Sequence, residues 1–419
     1  MSNNTRLGVV IIGISGAVAS TAIAGVELLK QGKMGTEGLP LAAMPENLTR
    51  NLVEYENLVF TGWDMSGEDL ATAATTHNVL TLQQFQAVSE ELQAAKPLAA
   101  VVNSAFCHNI EGKNVFAAAN HFAAVEKVRE DIRRFKNEQN LERVVMINLA
   151  STESFVDKNS ETFATLENFE KALGENSAEI SPAMIYAYAA VGEGIGYGNF
   201  TPSVAADIPA LVEYAEKTGA TLAGKDGKTG QTFIKTVIAP GLKARALKVD
   251  GWFSTNILGN RDGFALQHPD SLKSKVTTKG SVLDDILGYK VEDHIVDIRY
   301  YRPRGDNKEA WDNIDLIGFM GQPMQLKINF LCKDSILAAP LVIEIARLLD
   351  YAQVCGMSGV QEQLSVFFKL PQVADEVNQR PEHALHLQEQ MLLRWLEQHA
   401  KTATEIKLPV AEKAATASE

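Results

Sequence analysis

Cysteine is scarce in this chain. Cys107, Cys332 and Cys355 are the only three among 419 residues, and they lie far apart without a CxxC pair. Three scattered thiols cannot form the disulfide framework of a small secreted domain, and no cluster of histidine and cysteine marks a zinc site. This cysteine usage is typical of a reducing compartment, so we expect a cytoplasmic location.

Positive charge is also in short supply. Lysine and arginine number 39 against 52 aspartates and glutamates, which gives a net charge of −13. This balance disfavours a nucleic-acid or anionic-membrane surface, although a local basic pocket for a phosphorylated metabolite remains compatible with it. With 419 residues and 46% apolar content, the chain is too long for one ordinary core, so we expect two domains.

The first apolar segment has two interpretations. Residues 7–29 contain no charge except Glu27 and follow Arg6, as in a signal peptide. Alternatively, Leu7 to Ile12 is a buried strand, followed by a glycine turn and a helix from about Ala17 to Lys30. A signal segment is usually richer in leucine than in glycine and alanine, so we favour the strand, turn and helix.

That order of elements is typical of a nucleotide-binding turn. It places backbone amides and a helix N-terminus against a pyrophosphate. The GxGxxG fingerprint is incomplete, because Ser15 and Val18 occupy its second and third glycine positions. The candidate cofactor-binding residues of this turn are Gly13, Ser15, Gly16, Ala17 and Val18.

Further apolar strands alternate with helices. The predicted strands are Leu58 to Phe60, Pro97 to Asn103 and Arg143 to Ala150, with a helix between Val115 and Lys136. This alternation predicts a parallel, doubly wound sheet whose ligand lies beyond the carboxyl ends of the strands. The residues expected to line that crevice are Asn103, Ser104, Asn148, Ser151 and Thr152.

Asp64 follows the strand predicted from Leu58 to Phe60. Its carboxylate could accept hydrogen bonds from a ribose diol, or it could cap a helix after Met65, and the spacing does not choose between them. Residues 181–206 are small, glycine-rich and aromatic. A helix and a glycine turn with Asn199 and Thr201 could close over a cofactor there, and a packed loop explains the composition equally well.

A strand at Thr221 to Gly224 then precedes a glycine- and lysine-rich turn, and Thr229 is positioned to cap a helix from Gly230. The turn lacks the spacing of a P-loop, which excludes an ATPase of that class.

The pattern changes after Pro240. Four predicted strands with one short helix between them indicate an inserted α+β domain over residues 241–334; they are Leu247 to Thr255, His294 to Tyr301, Asp315 to Phe319 and Met324 to Leu331. An apolar helix from Ser335 to Asp350 returns to the first domain, which would be discontinuous, 1–240 plus 335–405. The last helix is predicted at Ala384 to His399, and the tail 406–419 is expected to be disordered.

Lys275 and Lys279 lie four residues apart, just before a predicted helix that contains Asp284 and Asp285. Two ammonium groups on one helical face could converge on a dianion such as a sugar phosphate. For an isolated pair, a solvated charged loop is the ordinary explanation. Further basic clusters favour an anion site; they occur at residues 225–228, 302–308, 333–334 and 369.

Six segments, in order along the chain, resemble the inositol-3-phosphate synthase family: GKDGKTGQT, LGNRDGFAL, LKSKVTTKGSVLDD, YYRPRGDNKEAWD, CKDSILAAPLVIE and VFFKLP. The resemblance implies an α/β fold, with a doubly wound Rossmann-like NAD-binding domain and an inserted α+β catalytic and tetramerisation domain. It further implies a homotetramer that converts D-glucose 6-phosphate to 1D-myo-inositol 3-phosphate, the first step of inositol biosynthesis.

The resemblance also implies site residues. The matching lysines are Lys275, Lys279, Lys308 and Lys369. We expect Lys275 and Lys369 to move protons at C5 and stabilise the enolate, and Lys279 and Lys308 to hold the phosphate and polarise the C1 aldehyde. The matching substrate contacts are Asp226, Asn260, Asp262, Ser274 and Asp334. The cofactor contacts of the family resemble Asp64, Thr152, Asn199 and Asp334.

This chemistry needs several cations in one pocket. Oxidation at C5 acidifies the C6 protons, aldol closure joins C6 to C1, and the same NADH then reduces the ketone, so each intermediate is an oxyanion or a carbonyl. Whether a divalent or monovalent cation assists is open, and Asp262 and Asp334 could serve one. Two other classes remain: a sugar-phosphate dehydrogenase that releases NADH, and a non-catalytic tetrameric scaffold.

Overall fold

The computed structural model describes residues 5–108, 111–259, 281–375 and 378–402. Within these ranges the strands form two sheets, one of seven strands and one of four. The strands are β1 (Leu7–Ile12), β2 (Leu58–Asp64), β3 (Leu98–Ala99), β4 (Arg143–Asn148), β5 (Gly196–Asn199), β6 (Thr221–Gly224), β7 (Lys248–Leu258), β8 (Asp293–Tyr300), β9 (Asn307–Ile317), β10 (Pro323–Lys333) and β11 (Gly359–Val360).

The α-helices cover both faces of the first sheet and one face of the second. They are α1 (Ala17–Lys30), α2 (Glu46–Thr49), α3 (Leu70–His77), α4 (Leu82–Ala94), α5 (His121–Glu138), α6 (Leu166–Gly174), α7 (Pro182–Gly192), α8 (Pro209–Thr218), α9 (Gly230–Ala244), α10 (Ser281–Leu287), α11 (Asp334–Val354) and α12 (Leu385–Thr402). No helix in the described part of the chain is long and apolar enough to cross a membrane.

The larger sheet has the strand order β11-β6-β5-β4-β1-β2-β3, and every neighbouring pair is parallel. The chain starts at the centre, moves to one edge and then crosses to the other side, which creates a topological switch point between β1 and β4. The predicted doubly wound α/β fold is confirmed.

Alternate residues of β1 belong to two different cores. Val9 and Ile11 pack with α1, α11 and α12, whereas Val10 and Ile12 pack with α5 and α7. All six residues of β1 are buried, because helices cover both faces of the sheet. A central parallel strand therefore has a continuous apolar sequence, as the first apolar segment does.

The smaller sheet has the order β10-β9-β7-β8, with β9 antiparallel to both of its neighbours and β7 parallel to β8. Its inner face packs against α9 and α10 through a compact apolar cluster that includes Trp252 and Ile314. α11 begins directly after β10, and most of its length packs against the larger sheet.

Several sequence predictions need correction. The glycine-rich segment after α7 contains β5, a buried strand that the small residues concealed because they allow Leu349 and Ile345 to pack close to the strand. The strand predicted at Asp315 begins eight residues earlier, at Asn307. Its first part was missed because charged residues alternate with others there, although several of these residues are buried in the structure. The strand predicted from Pro97 to Asn103 is only two residues long. The tail prediction for 406–419 lies outside the described residues.

Candidate active site

A cavity of about 710 Å³ lies at the carboxyl ends of the strands of the larger sheet. Its wall extends from Asp64, at the end of β2, past the turn after β1 to Asp226, after β6. The smaller sheet closes the opposite side with Lys308, at the start of β9. The cavity therefore lies at the switch point, where a doubly wound sheet binds its ligand.

The turn between β1 and α1 forms one wall of this cavity. Gly13 has a φ of +84°, and a Cβ atom there would lie 3.1 Å from the backbone of Ala150. Glycine is therefore required at this position both by conformation and by space. Gly16, Ala17 and Val18 also line the cavity, so the N-terminus of α1 faces the space that a pyrophosphate would occupy.

Ser15 does not line the cavity. Its side chain is buried, and its backbone N–H donates to Oδ2 of Asp64 at 3.0 Å. Oδ1 of Asp64 accepts the N–H of Ser66 at 2.9 Å, so both oxygens are oriented by the backbone. The helix-cap interpretation of Asp64 is wrong, because Asp69 caps α3. Serine instead of glycine thus leaves the turn intact, since its side chain points away from the cavity.

The loops after β4 and β5 form the next part of the wall. Ser151, Thr152 and Thr201 line it, as does Asn148. Asn199 lies behind them, where its Oδ1 accepts hydrogen bonds from the backbone N–H and the hydroxyl of Thr201. Asn199 therefore supports the cavity wall without forming it.

Asn103 and Ser104 are not in the cavity lining, which corrects that prediction. Asn103 closes a turn: its Oδ1 accepts the N–H of Ala105, and its carbonyl accepts the N–H groups of Phe106 and Cys107. Because β3 ends early, the chain turns sooner than expected, and the residues that line the cavity there are Val101, Val102 and Cys107.

Lys369 and Asp226 form a buried ion pair at the edge of the cavity. The distance from Nζ to Oδ1 is 2.6 Å, and the two residues are 6% and 3% exposed. The backbone N–H of Lys369 also donates to the carbonyl of Asp226 at 2.7 Å. Oδ2 of Asp226 is buried and has no hydrogen-bond partner among the described residues. It is therefore available to a hydroxyl group of a ligand.

A second cluster consists of Lys308, Asp334 and Thr229. Nζ of Lys308 lies 3.3 Å from both carboxylate oxygens of Asp334, and the hydroxyl of Thr229 donates to Oδ1 at 3.0 Å. Thr229 is the N-cap residue of α9, as predicted, but its side chain makes no capping bond within the helix. Lys308, Asp334 and the first amides of α9 thus meet at one point of the cavity.

Glu153 was missed by the sequence analysis, although it directly follows Thr152. It is 5% exposed and lines the cavity. Burial raises its pKa to about 7, and the Ser181 hydroxyl and the Ala183 amide oppose the rise. An acidic residue just past the end of a central parallel strand is the signal that could have identified it.

The other predicted lysines lie outside the described residues. Residues 260–280 separate β7 from α10 and include five predicted site residues; these are Asn260, Asp262, Ser274, Lys275 and Lys279. Among the residues that are described, no group of histidine, cysteine, aspartate and glutamate could hold a metal ion.

The geometry fits a dinucleotide and a small anion together. The glycine turn, the N-terminus of α1 and Asp64 provide the elements that bind a pyrophosphate and a ribose. Next to that groove, two ammonium groups and the N-terminus of α9 provide positive charge for an anionic substrate. The arrangement can therefore hold a sugar phosphate beside a nicotinamide ring.

Comparison with known proteins agrees with this geometry. A model of an NAD-binding family described as myo-inositol-1-phosphate synthase matches residues 41–397. An inositol-3-phosphate synthase of Bacteroides thetaiotaomicron is 42% identical over 93% of this chain and 95% of its own length. The Saccharomyces cerevisiae inositol-3-phosphate synthase is 31% identical over 83% of this chain and 73% of its own length.

Solved structures give the same result. A crystal structure of inositol-3-phosphate synthase from Caenorhabditis elegans superposes with a TM-score of 0.87 and 26% identity, covering 97% of this chain and 90% of the other. A myo-inositol-1-phosphate synthase-related protein from Thermotoga maritima has a TM-score of 0.76 and 25% identity, covering 94% and 98%. The similarity extends over both sheets.

Proposed function

Because this chain belongs to the myo-inositol-1-phosphate synthase family, we propose that it converts D-glucose 6-phosphate to 1D-myo-inositol 3-phosphate with NAD recycled internally. The observation that supports this most is the meeting of two lysine–aspartate pairs in the cavity that contains the glycine turn: Lys369 with Asp226, which is buried, and Lys308 with Asp334, which is partly buried. These residues come from four distant parts of the chain.

Bound NAD would accept a hydride from C5 of the sugar and would return it after ring closure. The residues that would hold it are Gly13, Gly16 and Ala17 for the pyrophosphate, Asp64 for the adenosine ribose, and Ser151, Thr152 and Thr201 along the far wall. The partly buried carboxylate of Asp64 is oriented by two backbone amides before any ligand arrives, so little ordering is needed on binding.

Lys369 is suited to proton transfer at C5. Its ammonium group is buried and donates to Asp226 at 2.6 Å, and this contact sets its position at the edge of the cavity. When a hydride leaves the C5 carbon, the proton of the C5 hydroxyl must pass to a base, and Lys369 in its neutral amine form can receive that proton and later return it. The free Oδ2 of Asp226 would orient the neighbouring sugar hydroxyl.

Lys308 is suited to anion stabilisation. It lies against Asp334 and the first residues of α9, where a hypothetical Cβ on Gly230 would be 3.4 Å from Nζ. The positive end of α9 and the ammonium group act in the same direction on a phosphate or on the C1 oxygen as the aldol bond forms. We propose that Lys275 and Lys279 complete this set, with Asn260, Asp262 and Ser274 as further contacts.

The decisive test incubates the purified protein with glucose 6-phosphate and NAD, and measures inositol phosphate by chromatography and NADH by absorbance. We expect product to form without net accumulation of NADH. Steady NADH production would instead indicate a sugar-phosphate dehydrogenase, and binding without turnover would indicate a scaffold.

Lys308→Ala should lower the rate of inositol phosphate formation about a hundredfold or more, as loss of one preorganised donor does.

Lys217→Ala is the matched control for that variant. Lys217 lies on α8 and forms an exposed pair with Glu213 at 2.7 Å. Its removal deletes a lysine without changing the cavity, so the rate should remain that of the wild type. A Lys308→Ala variant as active as this control would contradict the proposed role of Lys308.

We further propose that four copies assemble through the smaller sheet. Its outer face exposes apolar side chains on three adjoining strands: Phe253 is 46% exposed, Ile295 49% and Trp311 48%. Phe253 and Ile295 are direct neighbours in the register of β7 and β8. An apolar face of this kind supports burial against another copy of the sheet.

Two further expectations belong with this proposal. The division into a discontinuous domain, 1–240 plus 335–405, and an inserted domain, 241–334, places the cofactor turn and Lys308 on different domains.

A divalent or monovalent cation could assist the reaction beside Asp334. Two measurements of activity test that requirement: one after chelation, and one after exchange of potassium for a bulky organic cation.

A further inference from the structure

We propose that Glu153 positions the nicotinamide ring, with its side-chain carboxylate accepting a hydrogen bond from the carboxamide NH₂ group. This inference rests on the proposed function, since it requires that the cavity bind NAD. It goes beyond that function because it assigns a residue that fixes which face of the ring is presented to the sugar.

The position of Glu153 is set by two hydrogen bonds. Its backbone N–H donates to Oγ of Ser203 at 3.0 Å, and its Oε1 accepts the N–H of Ala183, in the first turn of α7, at 2.9 Å. Oε2 is buried and has no hydrogen-bond partner among the described residues. A buried acceptor without a donor is costly, so a donor from a ligand is expected at this oxygen.

The place of Glu153 in the fold identifies that donor. Asp64 marks the adenosine half of the groove at the end of β2, and the turn after β1 marks the pyrophosphate. Glu153 follows β4, on the other side of β1, and β4 pairs directly with β1. A dinucleotide that crosses the switch point places its nicotinamide half on this side. The NH₂ of the carboxamide is the hydrogen-bond donor of that ring, and the positive charge of the oxidised ring favours a carboxylate neighbour.

The competing explanation is that Glu153 only caps α7. That helix already has Ser181 as its N-cap, with Oγ of Ser181 accepting the N–H of Met184 at 3.4 Å. A cap role uses Oε1 alone and gives no reason for a second buried carboxylate oxygen without a donor in a residue that lines the cavity. The two explanations therefore differ in what Oε2 does, and a variant can change Oε2 alone.

Glu153→Gln is that variant. The Ala183 N–H should hold the glutamine carbonyl oxygen in place of Oε1, so the amide NH₂ takes the place of Oε2. The acceptor is replaced by a donor while the cap is kept. Ser181→Ala is the control, because it weakens the start of α7 and removes a neighbouring hydroxyl while both carboxylate oxygens remain as acceptors.

The experiment compares two ligands, NAD and 3-acetylpyridine adenine dinucleotide, in which a methyl group replaces the NH₂. Dissociation constants are measured by calorimetry for the wild type, Glu153→Gln and Ser181→Ala at pH 8. The wild type should prefer NAD by roughly tenfold or more, as expected for a hydrogen bond to a charged group. Glu153→Gln should lower the preference to about twofold or less, and Ser181→Ala should retain it.

Equal binding of the two dinucleotides by the wild type would overturn this inference. This comparison needs no variant, so the inference remains testable even if Glu153→Gln does not fold. A Glu153→Gln protein that still prefers NAD tenfold would overturn it as well. If the wild type binds neither dinucleotide, the proposed function itself fails.

Discussion

The pair of Lys369 and Asp226 can be tested separately for stability and for catalysis. Both residues are almost fully buried, with Nζ and Oδ1 2.6 Å apart. Lys369→Met leaves a buried carboxylate without its ammonium partner, and Asp226→Asn leaves the ammonium without its carboxylate. Breaking a buried pair in this way costs about 3 kcal/mol in the free energy of unfolding for each variant, at the low end of the known range.

The double variant is the informative one. Neither residue is charged in Lys369→Met combined with Asp226→Asn, so no buried charge is left unpaired and the loss should fall to about 1 kcal/mol, well below the sum of about 6. Asparagine suits position 226, because the backbone φ there is +58°, a value that asparagine and aspartate tolerate better than other side chains. Size and backbone conformation are therefore kept while the charges are removed.

Urea unfolding followed by tryptophan fluorescence measures these free energies, and the inositol phosphate assay measures the rate. We expect the double variant to regain stability but to remain about a thousandfold slower than the wild type, a loss of roughly 4 kcal/mol in transition-state stabilisation. Strict additivity of the two single losses would show that the pair is not coupled. A double variant with normal activity would refute the role of Lys369.

Three further predictions follow from other parts of the structure. Gly13→Ala should weaken NAD binding at least tenfold, measured by calorimetry, while circular dichroism shows that the fold persists. The reason is that the added Cβ would press on the backbone of Ala150 at a residue whose φ is +84°. Unchanged affinity would contradict the assignment of this turn to NAD binding. Trp311→Glu places a charge on the exposed apolar face of the smaller sheet, so it should shift the molecular mass in light scattering from that of a tetramer to that of a smaller species. Activity per subunit is the second measurement. An unchanged mass would exclude that face as the interface. Glu153, whose folded-state pKa is raised from 4.5 to about 7, makes the folded protein bind more protons than the unfolded chain in this window, so its contribution to stability falls as the pH rises from 4.5 to 7. The free energy of unfolding of the wild type, relative to Glu153→Gln, should therefore drop by about 2.5 kcal/mol between pH 5 and pH 8, and a constant difference would be inconsistent with a buried carboxyl at this position.

The sequence predicted the larger sheet well where its strands are long and apolar. β1, β4 and β6 begin where the apolar runs predicted, because a central strand covered on both faces must be apolar throughout. It failed at β5, whose sequence is Gly196 to Asn199. Small residues are needed there because α11 packs directly on the strand, and this contact involves residues about 150 positions apart. No local pattern can reveal such a constraint.

The candidate site likewise has features that the sequence predicted and features that only packing determines. The order of motifs was enough to name Lys308, Lys369, Asp226 and Asp334, because each stands in a short segment with a distinctive composition. That these four form two separate pairs, and that Thr229 bonds to Asp334 and not to its own helix, depends on how β9, α9 and α11 meet. Distances between side chains from different elements are set by packing.

By itself, the sequence determined the family, the doubly wound fold and the identity of the charged residues, because these follow from local composition and from the order of segments. The tertiary structure alone decided which lysine pairs with which aspartate, which side of the glycine turn Ser15 faces, and that Glu153 lies buried in the cavity wall. The physical reason is that burial and pairing of charge arise only when distant segments exclude water from a common space.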